Sequence, residues 1–491
     1  MRKISELPSA TTISHLDIFP IVQGGVTKSI ASLIMLGIVN VKLYGAVGDG
    51  VTDDSAAVAA ALAVSNAVFF PPGISNVYLL KDVTVGLNKT IYGCGSVFKP
   101  APGATSIFTS TGFKPAIYDC YFDCANGNLI NSLLYNAAVV VVDATYPTVG
   151  NVQFVNCDTG LLVKVSTITT TSQTSKGSFF NLKFDTFSAR GVLIGPNVNT
   201  CTFDGIRCYS GVTIPSNIPK RGAIGFQIYS TGSLGTYGGH MISNVDCEQS
   251  EYGFQLTDAT LCHFNNCFGD SVARAGFQVT GASTDIKFTD CFAGTCLLGF
   301  DIDNTSSVIL DSVTTKYNGV VPPWWVGPAA FFETGAAFDI TVRSTASVQI
   351  GSWFGDHAMY ADSTASMTFD TADHLYANTT ATIPAGSTNY FGPAGLTALE
   401  LSWVAPKAGV ITNFSAQCGS APGASQTFVY TVRVNSADTA MVATISGTGS
   451  FGATSTVPVA FTAGQNISIK LVTSAGAAAA FHRTVLSLRY F

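Results

Sequence analysis

The sequence predicts an all-β protein built around a β-solenoid, and three observations lead to that fold class. Only 11% of the 491 residues are charged, 48 are Gly and five are Glu, so the chain is poor in helix formers and suited to strands. The middle of the chain repeats itself every 20 to 25 residues. The last segment, of about 100 residues, contains short runs that alternate between apolar and polar side chains, as half-buried strands do.

Composition also excludes several classes of protein. The net charge is −6, from 24 Lys and Arg against 30 Asp and Glu, which argues against a nucleic-acid partner because phosphates need a basic face. Apolar residues make up 47% of the chain, enough for a large core, so disorder is not expected. The apolar run 29–41 has 13 residues, too few to span a bilayer. The start of the chain lacks the apolar stretch of a secretory signal. We therefore expect no membrane insertion and no export by the usual route.

The internal repeat has two elements. The first is Gly, an aromatic or aliphatic residue, a polar residue and an aliphatic residue, and its clear copies follow each other at steps of 28, 23 and 23 residues. Such self-similarity without a helical pattern is typical of stacked β-coils, in which like residues form columns. The clear copies are Gly225–Ile228, Gly253–Leu256, Gly276–Val279 and Gly299–Ile302, with weaker ones at Gly160 and Gly191.

The second element is Asp or Asn followed by a small residue. We expect these amides and carboxyls to bond turn backbones between coils, and the thiols to pack as small apolar groups. The 12 Cys include pairs with loosely zinc-like spacing, such as Cys262 and Cys267, but no two pairs have a finger-like separation. We therefore predict buried free thiols, no metal and no cofactor. The copies are Asn156-Cys157, Asp185-Thr186, Asp246-Cys247, Asn266-Cys267, Asp290-Cys291 and Asp311-Ser312.

The most specific string is 41–55, which predicts a strand, a Gly-rich turn and a helix capped at Thr52. Asp53 and Asp54 are placed in the first turn, where the helix dipole favours anions. The order of its glycines does not fit a dinucleotide loop, no P-loop Lys follows, and its acids lack EF-hand spacing. A lone helix over 56–64 ahead of a solenoid is expected to cap the first coil.

Two stretches resemble known families. Residues 44–54, read with the Ala-rich helix and Phe69-Phe70-Pro71-Pro72-Gly73, closely resemble the opening of pectate-lyase-like right-handed parallel β-helix proteins. Residues 4–28 are similar to the short particle-attachment segment of bacteriophage tailspikes. The resemblance implies a homotrimer in the phage tail, made in the host cytoplasm, with a β-helix over the host polysaccharide. It supplies no catalytic residues, because the matched string is the structural cap.

We accordingly predict three regions. Residues 1–40 form the segment that attaches to phage tail or baseplate proteins, and 41–376 form a right-handed parallel β-helix that carries receptor binding or depolymerase activity. Residues 377–491 are expected to form a jelly-roll-like β-sandwich for trimerisation or glycan binding.

Three acids are candidates for catalysis, because glycoside hydrolysis needs a pair of carboxyl groups. Glu248 and Glu251 lie between the two repeat elements of one coil. Aligning Cys247 with Cys267 places Asp270 opposite Ser250, so that Glu251 and Asp270 would face each other. One acid would then be the general acid and another the base or nucleophile. The alternative is that all three are solvated turn residues.

Candidate substrate-binding residues surround these acids. Arg274 and His263 belong to the next coil, and a long insert from Ser210 to Arg221 precedes a Gly-rich stretch up to His240 that holds Tyr237. Protruding loops of solenoids often carry binding contacts. A Pro-rich excursion carries Trp324 and Trp325, which suit stacking on sugar rings or packing at a subunit interface.

The sequence therefore predicts a tailspike that binds a bacterial surface polysaccharide, a capsule or an O-antigen, during host attachment. Degradation of that glycan is the favoured activity, with hydrolysis ahead of elimination. A non-enzymatic receptor-binding adhesin remains the alternative, because no motif fixes a mechanism. A cellular pectin-degrading lyase fits poorly with the start of the chain.

Overall fold

The computed structural model describes most of the chain. The described residues are 18–23, 26–31, 37–73, 75–125, 137–168, 173–210, 222–230, 238–303, 307–316, 338–344, 346–351, 353–354, 359–361, 366–369, 374–378, 382–392, 395–397, 400, 402–405, 408–448 and 452–490. No helix in these ranges is long and apolar enough to cross a bilayer.

The central region is a right-handed parallel β-helix, as predicted, and antiparallel sheets follow it toward the C-terminus. Before it, β1 (Ile18–Gln23) pairs antiparallel with β2 (Val26–Ala31). The other strands of this part are β3 (Ile38–Asn40), β4 (Asp49–Asp53), β5 (Ala67–Phe69), β6 (Val77–Leu80), β7 (Val83–Val85), β8 (Thr90–Tyr92), β9 (Val97–Pro100), β10 (Phe108–Phe113), β11 (Ala116–Tyr118), β12 (Tyr121–Asp123), β13 (Val139–Thr145), β14 (Thr148–Val155), β15 (Thr159–Lys164), β16 (Thr174–Ser175), β17 (Ser178–Asp185), β18 (Arg190–Ile194), β19 (Val198–Asn199), β20 (Thr202–Tyr209), β21 (Ile224–Tyr229), β22 (Met241–Glu248), β23 (Tyr252–Thr257), β24 (Thr260–Asn265), β25 (Phe268–Asp270), β26 (Ala275–Thr280), β27 (Thr284–Thr289), β28 (Phe292–Gly294), β29 (Leu298–Asp303), β30 (Val308–Asp311), β31 (Val313–Lys316), β32 (Phe338–Arg343), β33 (Ser347–Ile350), β34 (Trp353–Phe354), β35 (Met359–Ala361) and β36 (Ser366–Phe369).

Successive coils stack strand on strand in two long sheets. The first sheet includes β12, β14, β17, β20, β22, β25, β28 and β31, and the second includes β13, β15, β18, β21, β23, β26, β29 and β32. Every pairing between these strands is parallel and in register, so a residue in one coil lies directly over its counterpart in the next. Neighbouring strands are about 4.8 Å apart, which sets the rise of each coil.

The cap at the start of the β-helix differs from the sequence prediction in where its α-helix begins. The helix α1 (Ser55–Val64) begins after Asp54, and Thr52 lies in β4 instead of capping it. Asp53 is also in β4 and Asp54 directly precedes the helix, so the placement of both acids in the first turn is wrong. The Asp54 carboxylate accepts hydrogen bonds from the amides of Val47 and Gly48, at 2.6 and 3.0 Å. The expected capping role of Thr52 is therefore wrong, because the acid of this motif closes the Gly-rich turn.

The repeated Gly and Phe have distinct roles inside the coils. Phe226, Phe254, Phe277 and Phe300 form one buried column along the second sheet. Gly225 precedes this column where the chain approaches the first sheet, and a Cβ there would lie 2.6 Å from the Cys247 sulfur. The coil is too narrow at this corner for any larger side chain.

One column of Asn residues forms side-chain ladders between coils, and only Asn266 of this column belongs to the second repeat element. Asn151, Asn181, Asn244 and Asn266 adopt positive φ values of 50 to 55° and interrupt the strands of the first sheet at matching positions. Asn181 donates to Asn151 at 2.9 Å, and Asn266 donates to Asn244 at 2.7 Å. We expected the amides of the second repeat element to bond turn backbones. The Asn266 amide instead bonds the Asn244 side chain, and the Asn156 amide bonds the Asp123 carboxylate at 3.1 Å.

All 12 Cys are free, and every one except the partly exposed Cys94 is buried, as predicted. Cys247 and Cys291 lie next to Cys267. Burial raises the pKa of each of these two thiols well above the ordinary value for cysteine. No cluster of His, Cys, Asp or Glu within the described ranges could hold a metal ion.

Two antiparallel sheets follow the β-helix and pack face to face. Tyr430 in one sheet shares a 2.6 Å hydrogen bond with Nδ1 of His482 in the other, and the Phe428 ring also packs on His482. The strands are β37 (His374–Asn378), β38 (Thr388–Gly392), β39 (Gly395–Thr397), β40 (Trp403–Val404), β41 (Gly409–Cys418), β42 (Gly423–Val434), β43 (Ala437–Gly447), β44 (Gly452–Ser455), β45 (Val459–Phe461), β46 (Asn466–Thr473) and β47 (His482–Tyr490).

Candidate active site

Two columns of side chains run along the outer surface of the first sheet, two residues apart on each strand. Alternation along a strand turns both columns outward, while the residues between them enter the core. We name them the first and second outer columns. The first outer column is Tyr121, Gln153, Lys183, Arg207, Asp246, Phe268, Phe292 and Thr314, and the second is Asp123, Val155, Asp185, Tyr209, Glu248, Asp270, Gly294 and Lys316.

Three carboxyl groups meet where β22 and β25 pair. Asp246 and Glu248 are on β22, and Glu248 lies in register with Asp270 on β25. Arg207 reaches this group from β20, with its guanidinium 3.8 Å from the Asp246 carboxylate and 3.5 Å from that of Glu248. We name Asp246, Glu248 and Asp270 the acid cluster.

The pKa values of Asp246 and Asp270 are shifted upward. Burial, followed by the charge of Glu248 and a hydrogen bond with it, raises the pKa of Asp246 to about 7, although Arg207 opposes the change. Burial also raises the pKa of Asp270, against hydrogen bonds from the Ser271 amide, at 2.7 Å, and the Thr295 side chain. A carboxyl group with a pKa near 7 holds its proton at neutral pH often enough to donate it.

The expected pairing of Glu251 with Asp270 is wrong. The register joins Cys247 to Gly269 and Glu248 to Asp270, a shift of 22 residues, whereas aligning Cys247 with Cys267 assumed 20. The Glu251 carboxylate instead accepts a hydrogen bond from the Gly222 amide, and the Glu251 carbonyl accepts one from the Arg274 amide at 2.9 Å. Glu251 is thus bound into the turn that leads to the second sheet.

The structure separates the other predicted binding residues. His263 lies on the first sheet with Nε2 3.1 Å from the Thr289 hydroxyl, and burial and Lys287 lower its pKa. The Arg274 guanidinium covers the Tyr252 ring at 5.5 Å. Tyr237, Trp324 and Trp325 lie outside the described residues, as does the insert after Ser210.

His240 does not line the outer surface as expected. Its side chain is 2% exposed, and Nδ1 accepts a hydrogen bond from the Cys201 amide at 3.3 Å. Burial lowers its pKa to about 4. The prediction that His240 binds substrate is therefore wrong: His240 is a buried core residue that directly precedes the strand β22, which carries Asp246.

Sequence reasoning missed Asp246 and Arg207 as site residues. Asp246 was assigned to the structural repeat because it precedes a Cys. The useful signal was the spacing of Asp246 and Glu248, since acids two apart on a predicted strand point to the same side. Arg207 was missed because 39 residues separate it from its register partner Asp246, as they separate Cys208 from Cys247. This step is much longer than the repeat of 20 to 25 residues, so the sequence did not align the two positions.

Comparisons with known proteins support the fold at the start of the chain. Residues 38–96 match the family described as "Rhamnogalacturonase A/epimerase, pectate lyase-like". This range contains the capping motif, so the resemblance of the opening to pectate-lyase-like proteins is confirmed, but it stops short of the acid cluster. No curated protein matches the sequence.

Several solved structures are similar to this chain at low identity. One is the ORF18 protein of Geobacillus virus E2, with 14% identity, a TM-score of 0.43 and coverage of 92% of this chain and 82% of that one. The Agl-KA catalytic domain has 14% identity, a TM-score of 0.48 and 68% coverage of both chains. The enzymatically active domain of bacteriophage CBA120 tailspike protein 4 has 11% identity and a TM-score of 0.43, covering 99% of this chain and 72% of that one. Likenesses this distant do not indicate a substrate or a reaction.

Proposed function

We propose that this chain is a phage tailspike subunit that binds a bacterial surface polysaccharide and hydrolyses it at the acid cluster. The single observation that carries the proposal is the environment of Asp246, whose pKa of about 7 accompanies two further carboxyl groups on one outward surface. Glycoside hydrolysis uses an acid and a base or nucleophile on opposite sides of the scissile bond.

Each member of the acid cluster has a role in this proposal. Asp246 donates its proton to the oxygen of the leaving sugar. Asp270, held by the Ser271 amide, either takes a proton from the attacking water or attacks the anomeric carbon itself. Glu248 contacts both Asp246 and Arg207, so it is a positioning residue that keeps the proton on Asp246.

The other parts of the chain belong to the same proposal. Residues 1–40 attach to tail or baseplate proteins, 41–376 form the glycan-binding β-helix and 377–491 support trimerisation or further glycan contacts. The tailspike-like attachment segment predicted from residues 4–28 supports this division. A spike in the virion would then present three acid clusters to the host surface.

The test is incubation of the purified protein with a panel of capsular polysaccharides and O-antigens. Polymer length is followed by size-exclusion chromatography, and elimination by the ultraviolet absorbance of unsaturated uronates. We expect one polymer to shorten without absorbance, and Asp246→Asn and Asp270→Asn to stop the shortening. Asp311→Asn is the matched control, since Asp311 is an ion-paired acid on the same sheet, 3.6 Å from Lys287.

Other outcomes separate the competing functions. Shortening with absorbance would make the protein a lyase and remove the acid roles assigned here. Tight binding of a polymer that never shortens would support the non-enzymatic adhesin, with the acid cluster reduced to a contact surface.

A further inference from the structure

A second group of polar and aromatic side chains lies on the same sheet, toward the N-terminus from the acid cluster. The Tyr92 and Tyr118 rings are stacked, with centroids 5.8 Å apart and planes at 22°. The Phe180 ring is tilted against Tyr118 at 6.4 Å. All three side chains are partly exposed, although aromatic rings of a β-helix usually enter its core, as Phe154 does.

The row of rings continues across a coil that has no aromatic residue at this register position. Gly150 occupies the register position between Tyr118 and Phe180. A Cβ built at Gly150 would overlap the Phe180 ring, so the ring lies over this glycine and reaches toward Tyr118. The three rings thus form one surface that extends over four coils, or roughly 14 Å between its outermost strands.

Amide groups border this row of rings. A cleft of about 400 Å³ lies beside the row and is lined by Asp119, Asn151 and Asn181 together with Tyr121, Gln153 and Lys183 of the first outer column. The Asn151 and Asn181 side chains are exposed, although each is part of the ladder that starts at Asp119. Amides offer donors and acceptors together, as sugar hydroxyls do. We name the three rings and this cleft the upstream platform.

The charges in and next to the upstream platform are nearly balanced. Lys99 pairs with Asp123 at 3.2 Å, and Lys183 pairs with Asp185 at 2.8 Å. Asp119 remains as a further carboxylate, bonded by the Asn151 amide at 3.1 Å. No cation is left over within this set to attract an acidic ligand, so the surface favours a neutral one.

We propose that the upstream platform is a second, non-catalytic binding site for a neutral segment of the polysaccharide. Sugar rings stack their C–H faces on Tyr118 and Phe180, and their hydroxyls bond Asn151, Asn181 and Gln153. The β22 strand is the second along the sheet from β17 and the fourth from β12, so Asp246 lies about 10 Å from the near edge of the platform and about 19 Å from β12. One glycan chain can therefore occupy both the platform and the acid cluster. This inference rests on the proposed function.

The test measures binding apart from cleavage. Tyr118→Ala and Phe180→Ala are introduced into the Asp246→Asn variant, and the Kd of each is measured by titration calorimetry. The probe is the panel polysaccharide that the wild-type protein binds most tightly. Phe113→Ala is the matched control, since Phe113 and Tyr146 form an exposed aromatic pair at another corner of the coils, 5.6 Å apart.

We expect each platform substitution to weaken binding about tenfold, because an aromatic contact of this kind contributes about 1 kcal/mol or slightly more. The control is expected to leave Kd unchanged. Cleavage of a fragment too short to reach the platform should be unaffected by Tyr118→Ala in the otherwise wild-type protein. A polymer that carries uronates throughout should bind less tightly than a neutral one.

Several results would overturn this inference. Unchanged Kd in both platform variants would remove the site, and so would failure of the wild-type protein to bind any polymer of the panel. A smaller assembly in light scattering would make the rings a subunit contact instead. Tyr118→Leu, which keeps apolar volume, replaces Tyr118→Ala if Tm falls. Loss of cleavage in the panel assay without loss of binding would contradict the proposed function alone.

Discussion

The upstream platform and the acid cluster use the same positions of the coil for different chemistry. Tyr121, Gln153 and Asp246 occupy one outer column, yet the first two border an amide-lined cleft and the third has a pKa of about 7. Cations at the platform are paired with one acid each, whereas a single Arg207 faces two acids at the cluster. The repeat fixes where a side chain points, and local charge balance decides what it does.

The largest effect on polysaccharide cleavage is expected from Asp246→Asn. An amide cannot donate the proton that the leaving sugar needs, so kcat should fall by about 10²- to 10⁴-fold, the usual contribution of a general acid. Initial rates of polysaccharide cleavage measure the loss, and calorimetry should show glycan binding close to that of the wild-type protein. An active Asp246→Asn variant would place the chemistry elsewhere.

The pH–rate profile distinguishes the acid from the base. Activity should fall as pH rises through about 7, because Asp246 then loses the proton that it donates. Arg207→Gln removes a charge that lowers the pKa of Asp246, so this limb should move to higher pH. The control Lys287→Gln, in a pair with Asp311 on the same sheet, should leave the limb in place. A limb that moves downward in Arg207→Gln would contradict the assignment.

Low pH should destabilise the coil that contains His240 and the strand β22. The pKa of buried His240 is lowered to about 4, so the unfolded chain binds its proton first as pH falls below about 6.5. This part of the free energy of unfolding is present above pH 6.5 and is lost between pH 6.5 and 4, by at most about 1.4 kcal/mol per pH unit. Denaturant titrations at pH 7 and pH 5 measure the loss.

His240→Gln supplies the comparison for that titration. Glutamine has no proton to gain in this range, so the difference between pH 7 and pH 5 should be smaller in the variant. An equal pH dependence in both proteins would assign the effect to other groups, such as His482, whose pKa burial also lowers to about 4.

The smallest effect on turnover is expected from Glu251→Gln. The Glu251 carboxylate bonds the Gly222 amide in a turn and is not paired with Asp270, so kcat should stay within about twofold of the wild-type value. Loss of a charged acceptor should lower stability by about 1 kcal/mol, which thermal melts measure. A large loss of kcat with an unchanged Tm would restore Glu251 to the catalytic group.

The sequence predicted the repeat better than its register. Gly225, Phe226 and their counterparts define the second sheet because each is required by the interior of the coil. Cys267 misled the alignment, since it takes the inward position of Val245 and leaves that of Cys247 to Gly269. Small inward residues are interchangeable in such a column, so their identity does not fix the register. The pairing of Glu248 with Asp270 therefore emerged only from the structure.

The platform could not be predicted from single residues. Tyr92, Tyr118 and Phe180 are separated by 26 and 62 positions, and only the stacking of coils brings their rings together. The burial of His240 could not be predicted either. In the sequence it lies near the candidate acids, and nothing there indicates that its side chain enters the core.

The most direct test is a crystal structure of the Asp246→Asn variant soaked with fragments of the polysaccharide that the wild-type protein cleaves. The account predicts a glycosidic oxygen beside residue 246, with Asp270 facing the anomeric carbon and further sugars over Tyr118 and Phe180. Glycan bound only to the C-terminal antiparallel sheets, or to the second sheet of the β-helix, would contradict it.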